Sequence, residues 1–215
     1  MTNYIPELSV LLQFALASAI LAVTPGPDMA LYVGRAITHG RAVGLVCFAG
    51  AVTGILVHTM LVALGLSALL VAAPAAFLIL KIIGAGYLIW LAYQSIRFGS
   101  SFTPRDGKVS KVGTLWGHYL TGIGINLLNP KIVIFFLTFL PQFVSAQDPN
   151  APGKLVFLGV FFLLVAIPVI LPMILAADRF SAYLLKSPRV MRTMDWALAG
   201  VFGAFAAKIL TTQAR

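Results

Sequence analysis

Long apolar runs separated by short polar links fill the chain from one end to the other. Six of them, at about residues 8–37, 43–71, 75–96, 113–144, 155–177 and 194–211, reach the roughly 20 residues that a helix needs to cross a bilayer. Spanning strands would be shorter and would alternate polar with apolar positions, so the runs predict helices. Two runs are broken in the middle, the first at Pro25-Gly26-Pro27-Asp28 and the second at Asn129-Pro130-Lys131. Proline has no N–H and clashes with the preceding turn, so each break frees backbone polar groups where no water is at hand to take them up. Pro168 and Pro172 are expected to kink the fifth run without ending it.

A shift of 103 positions lays Gly26-Pro27-Asp28 on Asn129-Pro130-Lys131 and so pairs the first run with the fourth. Three crossings per half turn the second half upside down relative to the first, the inverted repeat that many secondary transporters use. Gly84 and Gly86 in the third run echo Gly200 and Gly203 in the sixth, though at a different offset from the breaks. The expected fold is all-α: an integral membrane bundle of six transmembrane helices forming one domain over 1–215. Its halves lie at about 1–100 and 113–215, with a cytoplasmic link at about 97–112.

Composition agrees with the pattern. The chain is 60% hydrophobic and only 10% charged, with a mean hydropathy of +0.98, more apolar surface than a soluble domain can hide. The net charge of +9 points to a membrane surface rather than to nucleic acid, because most of the Lys and Arg residues sit in the links. Ten of them, Arg35, Arg41, Arg97, Arg105, Lys108, Lys111, Arg179, Lys186, Arg189 and Arg192, follow runs one, three and five. Lys154, Lys208 and Arg215 lie on the opposite side, which places the basic links in the cytoplasm and both termini outside. Asp178–Thr193 is long enough to lie along that surface, in contact with anionic lipid. Met1 to Glu7 carries no basic residue, so the first run is expected to be retained rather than cleaved as a signal peptide. Cys47 is the lone cysteine, which excludes an intrachain disulfide and a cysteine-rich metal site.

Asp28 is the leading candidate for chemistry. It follows about 20 mostly apolar residues, and its side chain is too short to snorkel far. It reads either as a functional carboxylate or as a cap on a half-helix beginning at Met29. Lys131 is its complement, readable as a cargo-binding ammonium, a snorkelling lysine or the partner of Asp28 in an ion pair that fixes the fold. If the breaks meet at the midplane, they offer a carboxylate, an ammonium, helix N-termini and free carbonyls, the set a zwitterionic amino acid requires. Asn126 and Asn129 add neutral donors and acceptors, and Pro25, Gly26, Pro27 and Pro130 shape the site. His58, in the second run, reads as a proton relay or as a hydrogen-bonded structural histidine. Lys81 reads as a snorkelling lysine, Gly50 and Gly54 as a helix-packing pair, and Thr24 and Thr53 as hydroxyls bonded to local backbone. Tyr87 and Tyr93 belong to the third run. There is no phosphate-binding loop, no His/Cys ligand pair and no nucleophile elbow, so no cofactor, metal or catalytic residue is expected.

At its two breaks the chain resembles the lysine-exporter superfamily (the LysE/RhtB type), in the branch that includes homoserine and threonine exporters. The residues that carry the resemblance are Pro25-Gly26-Pro27-Asp28 with Gly34-Arg35 and His39-Gly40-Arg41, then Asn126-Leu127-Leu128-Asn129-Pro130-Lys131. Phe135-Phe136, Leu140-Pro141-Gln142-Phe143 and Gly84-Ala85-Gly86-Tyr87-Leu88 extend it over nearly the whole chain. Family members often have Asn where this chain has Asp28. The resemblance implies a multi-pass exporter of the bacterial inner membrane that exchanges an amino acid or close derivative for protons. A neutral or zwitterionic cargo is favoured, since moving a unit positive charge outward costs about 2.3 kcal/mol per 100 mV and a zwitterion is exempt. The partners implied are the amino acid, the proton and membrane lipid; an oligomer is compatible with the pattern and not specified by it. The rival readings are an intramembrane enzyme acting on lipid-linked substrates and an ion or metal transporter.

Overall fold

The structure, a computed structural model, describes residues 4–72, 74–98, 113–145 and 148–213. Among these every regular element is helical. The expected link beyond residue 98, with Arg105, Lys108 and Lys111, lies outside the described residues, as do Arg215 and the side chains of Lys81 and Lys208.

The first broken run forms α1 (Leu8–Val23) and α2 (Pro27–His39), bent by 52°. The second forms α5 (Leu115–Leu127) and α6 (Pro130–Ile134), bent by 53° between α5 and the helical stretch that runs from α6 to Phe143. Between them stand α3 (Arg41–Ala72) and α4 (Pro74–Phe98). The chain continues with α7 (Ala151–Leu175), α8 (Ala177–Lys186) and α9 (Pro188–Gln213). Arg41–Gly65 and Ala151–Leu175 are each long and apolar enough to cross a membrane alone, and the two bent pairs bring the number to four if each is one span. The third and sixth runs of the sequence are occupied by α4 and α9, continuous helices of 25 and 26 residues. Pro168 and Pro172 sit inside α7, which runs on past both. Large side chains such as Leu8, Leu16, Leu64 and Leu164 are exposed, which lipid rather than water would cover. Asp178–Thr193 is two pieces, α8 without its first residue and the start of α9, separated at Ser187 because Pro188 starts a new helix.

Small residues set the packing at the centre, where helices gain nothing from hydrophobic exclusion and rely on close approach. A Cβ on Gly50 of α3 would come within 2.1 Å of the Tyr119 carbonyl oxygen of α5, and one on Gly122 of α5 within 2.1 Å of the Cys47 carbonyl oxygen. The expected packing role of Gly50 is therefore met by backbone touching backbone. Thr53 bonds locally to Ala49 O at 3.2 Å and reaches the Tyr119 hydroxyl at 2.7 Å, adding a side-chain tie between the same two helices. Gly159 of α7 makes room for the side chain of Thr59 on α3, whose Cγ2 and Oγ1 would stand 2.3 Å from a Cβ there. Gly40 closes α2 at φ 91°, the left-handed region where glycine has no Cβ to strain.

After α6 the helix widens into one π turn, Phe135–Phe139, and tightens into a 3₁₀ turn, Leu140–Phe143. Phe135, Phe136 and Phe139 are wholly buried there with Phe14, Phe162 and Phe202. Ring contacts such as Phe14–Phe143 at 5.1 Å and Phe139–Phe205 at 4.4 Å contribute about 0.5–1.5 kcal/mol each beyond burial. This aromatic cluster holds the short α6 in place.

Outside the apolar runs, Asp148 organises the start of α7. It accepts from Asn150 N–H at 2.8 Å and pairs with Lys154 Nζ at 2.5 Å. The hydrogen bond from Lys154 and the Asn150 N–H hold its carboxyl below the usual carboxylate range. A depressed folded-state pKa stabilises above the ordinary value of 3.8 and is lost as pH falls through the lower folded one. We expect the start of α7 to be insensitive to pH between about 5 and 8 and to loosen only in strong acid. Amide exchange at residues 150–154 checks this, with Asp148→Asn removing the acid-dependent part.

Candidate functional site

The site grows from what proline takes away. Pro25 has no N–H, so the Leu21 carbonyl four residues earlier loses its helical partner. Thr24 turns back on α1 instead, with both its N–H and its hydroxyl donating to Ile20 O, at 3.1 and 2.7 Å. Lys131, from the second break, fills the gap: its Nζ donates to Leu21 O at 3.1 Å and to Thr24 O at 2.7 Å. Gly26 leaves room for it, since a Cβ there would stand 3.3 Å from the ammonium. Gly26 is in extended backbone at φ −164°, so space rather than conformation requires the glycine. The ion pair with Asp28 and the snorkelling lysine are both corrected: no ion pair joins the two residues, because the carbonyls freed by Pro25 have taken the ammonium.

The second break caps itself. Asn129 is the N-cap of α6, with Pro130 at its first position, and Asn129 Oδ1 accepts from Lys131 N–H at 3.0 Å. Asn126, fully buried at the end of α5, donates through Nδ2 to Asp28 Oδ2 at 2.7 Å. The capping role expected of Asp28 is not seen. Helix α2 begins at Pro27 rather than Met29, because proline's fixed φ and missing N–H suit the first position, and Gly26 serves as N-cap without a side-chain bond. Asp28 thus stands inside the first turn, still near the positive end of the helix, with its carboxylate turned across to α5.

These bonds fix the orientation of both amides. A carboxylate only accepts, so Asn126 must present Nδ2 to Asp28 and keep Oδ1 free. A backbone N–H only donates, so Asn129 must present Oδ1 and keep Nδ2 free. Asp28 Oδ1, Asn126 Oδ1 and Asn129 Nδ2 are all buried without a partner in full hydrogen-bond geometry, although the Asn129 side chain stands beside the Asp28 carboxylate. Buried polar atoms are rarely left so, and a cluster of them at a helix break calls for a ligand or water.

Two cavities meet at this point. A small one of about 30 Å³, room for a water or two, is lined by Asp28, Asn126, Asn129, Lys131, Tyr32 and Phe162 among others. A larger one of about 240 Å³ lies against Pro25, Gly26, Pro27, Asn129, Pro130 and Lys131, and reaches α4 and α9. Every site residue expected from the sequence lines one or both, with the exception of His58. That histidine is buried on α3, stacked on Phe136 at 5.8 Å and set against the Asn126 backbone, with Nε2 unpartnered.

Two residues of the site escaped the sequence reading. Tyr32 follows Asp28 by one turn, and its i, i+4 spacing could have placed it on the same face. Gly54 was read only as packing, yet a Cβ there would stand 2.5 Å from Asn126 Oδ1, so it makes the space in which Asn126 reaches Asp28. No local pattern announces that role.

Lys131→Met leaves the Leu21 and Thr24 carbonyls unpaired at about 1–3 kcal/mol each, offset by release of a buried charge. We expect a net loss of about 1–3 kcal/mol, read as a lower melting temperature in detergent, with Lys131→Arg losing less.

Comparison with known proteins gives the site a setting. No solved structure matches the chain significantly. A homoserine/homoserine lactone efflux protein of Salmonella typhimurium is 32% identical over 190 residues, covering 88% of this chain and 90% of its own. A leucine efflux protein of Klebsiella pneumoniae is 26% identical, with 94% of this chain and 95% of its own covered. A cysteine/O-acetylserine efflux protein of Escherichia coli O157:H7 is 35% identical over 129 residues, 60% of this chain and 62% of its own. Residues 19–213, which hold both breaks and all the residues that line the two cavities, match the family described as LysE type translocator, and the chain belongs to that family.

Proposed function

We propose that the chain exports a small zwitterionic amino acid or neutral derivative across the bacterial inner membrane in exchange for protons. Membership in a translocator family sets an enzymatic role aside. The observation that carries the reading is the complementarity of the unpartnered atoms: Asp28 Oδ1 and Asn126 Oδ1 are acceptors suited to an ammonium, and Asn129 Nδ2 is a donor suited to a carboxylate. Lys131 adds positive charge beside that donor, with one N–H beyond the two given to carbonyls. The named relatives are efflux proteins for homoserine and homoserine lactone, leucine, and cysteine or O-acetylserine, compounds that share an α-amino acyl core.

Six crossings in two inverted halves, with the basic links in the cytoplasm and both termini outside, complete the proposal. Helix packing supports the repeat: α3 lies along α5, its counterpart α7 lies along α1, and the pairs α3–α7 and α4–α9 meet as equivalents across a two-fold axis would. In this scheme Asp28 takes a proton from outside and gives up the cargo ammonium.

The test is efflux from cells or proteoliposomes preloaded with labelled homoserine, leucine and cysteine. Export above the empty-membrane rate that fails when the pH gradient is collapsed is the expected result, and absence of export for the whole panel would overturn the reading. Lys131→Met, if it folds, is expected to weaken cargo affinity; unchanged affinity reduces Lys131 to the helix cap already described.

A further inference from the structure

The acceptors that suit an ammonium line the smaller cavity, and Asp28 and Asn126 have no part in the larger one. The larger cavity has two unlike walls. One is the pair of breaks, with Asn129 and Lys131. The other is α4 and α9, contributing Tyr87, Trp90, Leu198 and Phe202 together with the polar Gln94 and Ser95. The Tyr87 and Trp90 rings lie 5.0 Å apart, centroid to centroid, and make a continuous aromatic surface. Among the described residues Lys131 is the one charged side chain on either wall, so a charged group at the far end would find no counter-ion. The volume of about 240 Å³ is far more than water needs and near the size of small-ligand pockets. Asn129, 1% exposed, borders both cavities and holds the unpartnered donor Nδ2.

Resting on the reading that the chain carries an amino acid, we propose that the larger cavity is the pocket for the cargo's side chain. The carboxylate sits at Asn129 Nδ2 and Lys131, the side chain lies on Tyr87 and Trp90, and these two rings select uncharged side chains of about leucine's bulk over glycine. The cargo is thus held by carboxylate and side chain on one side of the breaks, while its ammonium is received by Asp28 and Asn126 on the other.

Trp90 reports on the pocket directly. Trp116 and Trp196 are more than half exposed, so Trp116→Phe with Trp196→Phe leaves Trp90 as the sole tryptophan without touching either cavity. Leucine is expected to change Trp90 emission saturably in proteoliposomes, at least about tenfold more tightly than glycine, the selectivity a few methylenes provide. Leucinamide, which lacks the carboxylate, is expected to have no effect. Tyr87→Ala is expected to erase the leucine preference. Equilibrium binding of labelled leucine to the unaltered chain gives the same ranking without relying on the double variant. Equal binding of leucine and glycine, or a preference that survives Tyr87→Ala, overturns the pocket. If export of any amino acid persists in that case, the transport reading stands and the pocket alone falls. If the unaltered chain neither binds nor exports any amino acid, both fall together.

Discussion

Asp28→Asn is expected to yield a folded protein whose efflux no longer responds to the pH gradient, and Asp28→Ala one that binds cargo about tenfold or more weakly. The two variants separate what the carboxylate does. Asparagine can still accept from Asn126 Nδ2 through its own Oδ1, so the tie between α2 and α5 survives. It holds no charge for a cargo ammonium and cannot take up a proton. Alanine removes the tie as well and leaves Asn126 Nδ2 buried without a partner beside Asn126 Oδ1, which already has none. A hydrogen bond to a charged group contributes about 1.5–3 kcal/mol, and each 1.4 kcal/mol is a factor of about ten in affinity. Efflux in preloaded vesicles at several external pH values, with melting temperature as the control for folding, gives the answer. If both variants export at the wild-type rate and with the wild-type pH response, the proton role is wrong.

Gly122→Ala is expected to prevent accumulation of folded protein, whereas Gly124→Ala on the same helix is expected to be neutral or slightly stabilising. The new Cβ at 122 stands 2.1 Å from the Cys47 carbonyl oxygen and 3.0 Å from its carbon, and backbone cannot rotate away as a side chain can. Helices α3 and α5 must separate along their contact, at about 1–3 kcal/mol or more for the overpacked site. Separation also breaks the Thr53–Tyr119 bond and carries Asn126, one turn beyond Gly122, away from Asp28. At Gly124 nothing lies within 4 Å, and alanine favours the helix by up to about 1 kcal/mol. Gly50→Ala makes the same collision from the other side, 2.1 Å from Tyr119 O. Yield of monodisperse protein in detergent and melting temperature distinguish the two outcomes; equal behaviour of the 122 and 124 variants would refute the close contact.

Much of this architecture can be read without coordinates, because proline inside an apolar run has few physical meanings. The breaks at Pro25–Pro27 and Pro130, the polar residues beside them and the helical character of every run follow from local chemistry. What stays hidden depends on partners far away in sequence. Lys131 reads as a counter-charge for Asp28 until the geometry shows that the carbonyl freed at Leu21 lies closer to hand. Asp28 reads as a cap because a short polar residue before a helical run usually is one, and only the helix's start at Pro27 shows otherwise. The widened turn at Phe135–Phe139 has no signature among neighbouring residues; it follows from packing against Phe14, Phe162 and Phe205. Gly54 acquires meaning only once α5 is placed against α3.

The lysine that closes the first break has a consequence for the order in which the protein is made. Leu21 and the residue that satisfies its carbonyl are 110 positions apart, so, if α1 and α2 form one membrane span, α1 enters the bilayer well before its cap has been synthesised. Throughout that interval the nascent chain would then hold an open helix end in hydrocarbon, a site for water, lipid headgroups or an insertion factor. A ribosome stalled before the second break is expected to leave α1 and α2 accessible to a water-soluble thiol reagent at a cysteine replacing Thr24 in a Cys47→Ala chain. Synthesis past Lys131 is expected to close that access.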